Sequence, residues 1–262
     1  MIEPTLIGML WAIGLMAIAI GLASWQELGL SQTLAIATGR TLLQLIGVGL
    51  FLSIIFATDS PLAVLGVLLF MVTIAATVAR SRIDRDLPKL LKWVWLAIFS
   101  AGLVTMSYVS LFVIRPDPWY DPRYLIPLTG IVLGNAMTAA SIAGDRLVSA
   151  LRNNRIEIET HLSLGATPTQ ATRTYRTAAI KAGLIPTLNA MMVVGLVTLP
   201  GTITGQLLGG ADPLVAALYQ ILIMFMLALA TLIASLVVTY GIQKQFFTAA
   251  MQLIEHAAIA KL

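Results

Sequence analysis

Cysteine is absent from the 262 residues, and only 11% are charged, where a soluble domain carries about a quarter. The first absence excludes disulfides, zinc ribbons, iron–sulfur ligation and thiol catalysis. The second, with 58% hydrophobic residues and a mean hydropathy of +0.92, excludes a soluble fold. Chemical motifs are missing as well. There is no G-x-x-x-x-G-K-[ST] phosphate loop, so the chain is not expected to bind ATP in the P-loop manner. No metalloprotease motif, Ser-His-Asp set or nucleophile elbow is present. An enzyme acting alone is therefore not expected, and no cofactor is expected on this chain. Both histidines, His161 and His256, fall in segments expected on the cytoplasmic side.

What is there is apolar sequence in long runs, near residues 5–24, 36–57, 61–79, 93–114, 124–143, 180–200 and 214–241. A helix needs about 20 apolar residues to cross a bilayer, so these predict about seven membrane helices in one domain, 1–262. The N-terminal run has Glu3 but no Lys or Arg ahead of it, unlike a cleaved signal peptide. It is expected to remain as the first helix.

Charge sets the orientation. Of the 16 Lys and Arg, only Arg115 and Arg123 fall on the side that a seven-helix reading places outside. The inner segments hold Arg40, then Arg80, Arg82, Arg85, Lys89 and Lys92, then six more from Arg146 to Lys181, then Lys244 and Lys261. This asymmetry predicts an outside N-terminus and an inside C-terminus. It also accounts for the net charge of +4 without a nucleic-acid partner. Residues 24–40 read either as a helix skimming the inner interface or as an extension of the second span. Residues 115–123, with Pro116, Pro118 and Pro122 around Trp119 and Tyr120, predict a rigid irregular outer turn.

The longest inner loop, about 145–181, has its own pattern. Leu147, Leu151, Ile158 and Leu162 share one face at helical spacing, while Arg155 and Glu159 stand four apart and can pair. Gly165 can close that helix in the left-handed conformation. Thr167, Pro168 and Gln170 then spell an N-cap, a first-turn proline and a capping box. Two cytoplasmic helices are expected to meet in a rigid elbow.

Glu159, Leu164, Gly165, Ala166, Thr167, Pro168 and Gln170 resemble the E-x-x-x-x-L-G-A-[ST]-P-x-Q pattern of the coupling loop in ABC importer permeases. Thr160 and His161 depart from it, and the Leu-Pro pair further along is missing. A fuller resemblance runs through GRTLLQLIGVGLFL (39–52), PLTGIVLGNAMTAASIAGDRL (127–147), LGATPTQA (164–171) and GLIPTLNAMMVVGLVTLPGTITGQLLGGADP (183–213). These stretches resemble the Fet-type permeases, a family associated with ABC-driven iron export and including plant relatives linked to aluminium tolerance. The resemblance implies a permease subunit of a bacterial inner membrane, working as a homodimer with a separate ATPase that binds ATP and magnesium. It also implies ATPase docking through Arg155, Glu159, Leu162, Leu164, Gly165, Ala166, Thr167, Pro168 and Gln170.

The residues themselves leave the cargo open. Every Asp and Glu lies in an expected loop or near a helix end, so proton- or sodium-driven transport, which uses acids within the membrane, is disfavoured. The expected pathway residues are neutral: Gln44, Asn135, Thr138, Ser141 and Asn189, with Met137, Met191 and Met192 nearby. Residues 199–213 read as an outer loop or as a broken segment lining a cavity, with Thr202, Thr204 and Gln206 as polar contacts. Such a set stabilises a stripped iron ion poorly and suits a chelate or a nucleotide sugar equally well. It names no metal ligands. The rival expectations are an ATPase-independent transporter or channel, and a scaffold that recruits a soluble partner.

Overall fold

The computed structural model describes residues 6–56, 60–84, 87, 89–248 and 250–254. Glu3, Arg85, His256 and Lys261 lie outside the described residues. Every named element among those described is helical, giving the expected all-α membrane protein. Contacts gather into two compact units, Met1–Ser60 and Pro61–Leu262.

In the first unit, α1 (Leu6–Trp25) packs against α2 (Ser31–Phe56). The turn between them uses left-handed backbone at Glu27 and Gly29. Residues 31–40 therefore belong to α2, the second of the two readings for that stretch.

The second unit holds α3 (Pro61–Ile83), α4 (Leu90–Tyr108, continued by a π-helical segment Val109–Ile114) and α5 (Pro122–Asn153). Short helices α6 (Arg155–Ser163) and α7 (Pro168–Ala171) lead into α8 (Arg173–Val193). Then come α9 (Gly201–Leu208) and α10 (Pro213–Phe246). α10 packs chiefly on α5 and α4. Their shared core is built from Val94 and Ile98 of α4, Leu147 and Leu151 of α5, and Val238 and Ile242 of α10, all buried. Between them sit small residues such as Ala97, Ala101, Ala136, Ala140, Ala230 and Ala234. Lipid tails are as apolar as leucine, so helices in a membrane hold together by close packing, which small side chains permit.

Among the described residues six helices are long and apolar enough to cross a membrane: α1, α2, α3, α4 with its π segment, α5 and α10. The expected sixth run, 180–200, is divided differently. α8 starts at Arg173, inside the basic stretch, and stops at Val193. Its 21 residues extend about 31 Å at 1.5 Å each, enough to cross, although Arg173, Arg176 and Lys181 dilute its apolar character. α8 runs antiparallel to α10, with Thr172 just before it meeting Gln243, Arg176 meeting Thr239 and Gly183 facing Ser235 in turn.

The fifth run also needs correction. α5 does not stop at residue 143 but continues to Asn153, and Asp145 and Arg146 ride on its exposed face. Ala143, Gly144, Leu147, Val148 and Leu151 stay buried on the other face, so packing carries the helix past its first charges. Its overhang is pinned to the end of α3 by an ion pair between Arg152 and Asp84. The outer turn behaves as expected: Asp121 caps α5 by accepting from the Arg123 N–H, Pro122 takes the first turn, and Trp119 stacks edge-on against Tyr120 at 5.6 Å.

Candidate functional site

The corner at Gly165–Gln170 assembles as its sequence chemistry dictates, but the single helix expected through Leu147, Leu151, Ile158 and Leu162 is divided at Asn154 between α5 and α6. α6 follows α5 after one non-helical residue, Asn154, whose side chain donates to the Ala150 carbonyl at 2.8 Å. Arg155 Nε donates to Glu159 Oε1 at 2.7 Å. Ile158 is fully buried and seats α6. At the other end, Gly165 takes φ +88°. Its N–H donates to the Leu162 carbonyl and the Ala166 N–H donates to the His161 carbonyl, each at 3.0 Å. Those two bonds are the Schellman closure that satisfies the last carbonyls of a helix. Thr167 then opens α7: its hydroxyl accepts from the Gln170 N–H at 3.3 Å, and its own N–H donates to Gln170 Oε1 at 2.9 Å. Pro168 occupies the first turn.

α7 passes through Thr172 into α8, and Thr172 is fixed by Gln243 Nε2 of α10 at 3.0 Å. Tyr175, in the basic first turn of α8, lies beside Glu157 of α6, and its phenol is pushed up to about 12 by partial burial and by that carboxylate. The elbow is thus clamped to the ends of the long helices. Much of the elbow stays exposed, with Leu164 80% exposed near its tip and Ile156 83% exposed at the start of α6. Leu162 is half-buried, and Thr167 and Gln170 are exposed. Ile156 lay outside the sequence expectation because it sits off the Leu147–Ile158 face. Beside the tip is a groove of about 540 Å³ between Glu159, Leu162, Ser163 and Gly165 on one side and residues 250–253 on the other.

The middle of α8 contacts two helices at one point. A Cβ on Gly183 would lie 2.7 Å from Ser235 Oγ of α10 and 2.9 Å from the Ala139 carbonyl of α5. At this point α8 lies against both neighbours with no room for a side chain.

The expected pathway residues are dispersed. Asn135, Thr138 and Ser141 spend hydrogen bonds on their own helix, donating to the carbonyls of Ile131, Gly134 and Met137 at 2.9, 3.0 and 2.7 Å. Asn189 and Met192 are exposed on α8, and Gln44 is exposed on α2 in the other unit. Residues 199–213 are neither plain loop nor fully irregular. They form α9 between a tight turn at Val194–Thr198 and a second Schellman closure, in which Gly210 has φ +87° and the Ala211 N–H donates to the Gln206 carbonyl. Thr204 bonds back to Pro200 at 3.3 Å, and Gln206 is half-buried.

Two of the expected residues do converge. Thr202 donates to Gln220 Oε1 at 2.5 Å, and Met191 borders the same space. There a cavity of about 390 Å³ opens between α8, α9 and α10, lined by Met191, Leu199, Ile203, Gln220, Met224 and Phe225. Gln220 is 95% buried, being only 5% exposed. It escaped the sequence reading because it stands alone in the long apolar run of α10. A lone amide in such a run is the available signal, since an unpaired amide in hydrocarbon is costly. Among the described residues no three His, Asp or Glu gather as a metal-ligand cluster.

Comparison with known proteins agrees with the fold. The family model described as "Uncharacterised protein family (UPF0014)" matches residues 6–247. The UPF0014 membrane protein slr1647 of Synechocystis sp. is 52% identical over 93% of this chain and 94% of its own length. Protein ALUMINUM SENSITIVE 3 of Arabidopsis thaliana is 35% identical over 94% and 88%. The Escherichia coli protein named "Probable iron export permease protein FetB" is 31% identical over 93% and 92%. No solved structure matches the chain.

Proposed function

The chain belongs to the UPF0014 family of multi-pass membrane proteins, and from that premise we propose that it is the permease subunit of an ABC exporter, driven by a separate ATPase. The single observation that carries this reading is the elbow at Leu162–Gln170. It is closed by a glycine, reopened by a capping box, clamped to the long helices, and left with an exposed leucine at its tip. Such a part has little use as a membrane anchor, because its basic residues are not at the tip. It suits insertion into a groove of a moving partner.

Two permease chains would pair with two ATPases. When the ATPases close on ATP and magnesium, the push at Leu164 enters α7 and α8, and the contact at Gly183 carries it to α5 and α10. The cavity beside Met191 and Gln220 then changes shape. Iron, or another metal ion, is the proposed cargo, on the strength of the Escherichia coli relative's name. The lining supplies amide oxygen and thioether sulfur rather than carboxylate, which favours delivery of a metal in chelated form and keeps a polar organic solute as the second reading.

Leu164→Asp tests the proposal. The side chain is exposed, so folding is retained, while burying a carboxylate at a docking tip weakens ATPase association by about tenfold or more. Co-purification of the ATPase and its activity in membranes should both fall. Unchanged activity, or solute flux through the chain reconstituted alone, would overturn the docking reading.

A further inference from the structure

Near the inner end of α10, two cations converge on one aromatic ring. Lys244 Nζ lies 4.9 Å from the Tyr240 ring centroid, and the Arg176 guanidinium of α8 lies 5.8 Å from it. Trp93 of α4 completes the group, edge-on to Tyr240 at 5.7 Å and 6.0 Å from Lys244. The cluster is built rather than incidental. Trp93 fits because residue 241 is glycine: a Cβ there would lie 2.3 Å from Trp93 Cγ. Arg176 is fixed by donating to Thr239 Oγ1 at 3.3 Å and to the Leu236 carbonyl at 3.4 Å.

The electrostatics are unfinished. Neither Arg176 nor Lys244 has a carboxylate partner among the described residues, whereas Arg152 and Arg155 both do. Attraction to an aromatic face stabilises each cation modestly but leaves both charges in place. An anion between them would be attracted by both.

The surface outward of the cluster identifies that anion. Phe225, Leu229, Leu232, Leu236 and Tyr240 are all exposed and follow one another at spacings that keep them on one face of α10. The stripe is about 22 Å long at 1.5 Å per residue, longer than the roughly 15 Å of hydrocarbon in one leaflet. It ends at the two cations. An apolar track of acyl length capped by paired positive charge has the profile of an anionic phospholipid. We propose that Arg176, Lys244, Tyr240 and Trp93 form a binding site for the phosphate headgroup of an anionic lipid of the inner leaflet, with an acyl chain along the α10 stripe. The site ties the first turn of α8, which leaves the elbow, to the end of α10.

Full-length protein in detergent is titrated separately with phosphatidylglycerol, phosphatidylcholine and inorganic phosphate, and bound molecules are counted by native mass spectrometry. Phosphatidylglycerol should be retained in preference to phosphatidylcholine. Lys244→Gln should weaken that retention about fivefold, the worth of one cation near a membrane surface. Lys244→Arg should restore it, and Arg146→Gln, an exposed cation on α5, should leave it unchanged. Lys244 is exposed in the last turn, so these variants fold, which thermal melting in detergent checks. Equal retention of the two lipids, or equal loss in the Arg146 and Lys244 variants, overturns the site. Inorganic phosphate binding as tightly as the lipid overturns the lipid as its source. Loss of ATPase binding in Lys244→Gln with lipid retention unchanged would instead assign the cluster to a protein contact and end the proposal.

Discussion

The inner elbow and the outer α9 segment are built from the same local parts and used differently. Each is a short helix closed by a left-handed glycine, Gly165 at φ +88° and Gly210 at φ +87°, and followed by a capped helix with proline in its first turn. The elbow is surrounded by ion pairs and by the Glu157 carboxylate beside Tyr175, and it is anchored by buried Ile158 with most of its surface exposed. The outer segment rests on one buried polar pair, Thr202–Gln220, beside an apolar cavity. Backbone chemistry alone therefore does not determine what a turn does. Surroundings rich in charge hold one end, which the proposed function uses to receive a push. Surroundings poor in charge border the cavity at the other end, which the same proposal assigns to the solute.

The comparison is broken most severely where the two ends are joined. Gly183→Val should destabilise the protein by about 3 kcal/mol, since added methyl groups would press on the Ala139 carbonyl and Ser235, and the loss should appear as a lower melting temperature in detergent. A variant as stable as the parent would mean that α8 is not held at that point. Next in size, Gln220→Leu removes the partner of Thr202 inside the outer cavity. It should cost about 1–2 kcal/mol and reduce transport more than it reduces ATPase binding. If ATPase association fell first, the outer pair would have to be counted with the elbow.

A matched pair sharpens the contrast. Gly165→Ala and Gly210→Ala place a side chain in the same left-handed conformation, at about 1 kcal/mol each. Equal shifts in melting are expected, yet only Gly165→Ala should uncouple ATP hydrolysis from transport. Uncoupling by both would erase the functional difference. Smallest of all is Arg155→Gln, which removes a half-exposed i,i+4 ion pair and should cost only about 0.3 kcal/mol. A melting shift as large as that of Gly183→Val would show that this pair holds α6 in place.

The elbow was readable from sequence because its determinants are local. Gly165, Thr167, Pro168 and Gln170 satisfy backbone groups within a few residues of themselves, and the Arg155–Glu159 pair needs only one helical turn. The membrane spans were readable because hydrocarbon demands length and apolarity from each helix separately. The end of α5 was not, because Asp145 and Arg146 look like the start of a loop until the opposite face is found to be buried. Nor were the contacts at Gly183 and Gly241, which depend on which helix arrives opposite them. Polarity alone points to Asn135, Thr138 and Ser141 as pathway residues, but they spend hydrogen bonds within α5. Only Met191, Thr202 and the unforeseen Gln220 share the outer cavity or its edge.

The overhang of α5 has a consequence of phase. Its 32 residues extend about 48 Å, some 18 Å more than the hydrocarbon thickness of roughly 30 Å, and the elbow is mounted on the end of that rod like a key on its shaft. A helix is a screw, so the length of the shaft and the direction of the key cannot be varied separately. One residue added between Arg146 and Leu151 would lift the elbow by about 1.5 Å and turn it through about 100°. Leu164 would then point away from whatever it now faces. The spacing between membrane and elbow is therefore quantised in whole turns, and a partner shaped to one setting is excluded from the neighbouring ones by angle rather than by distance.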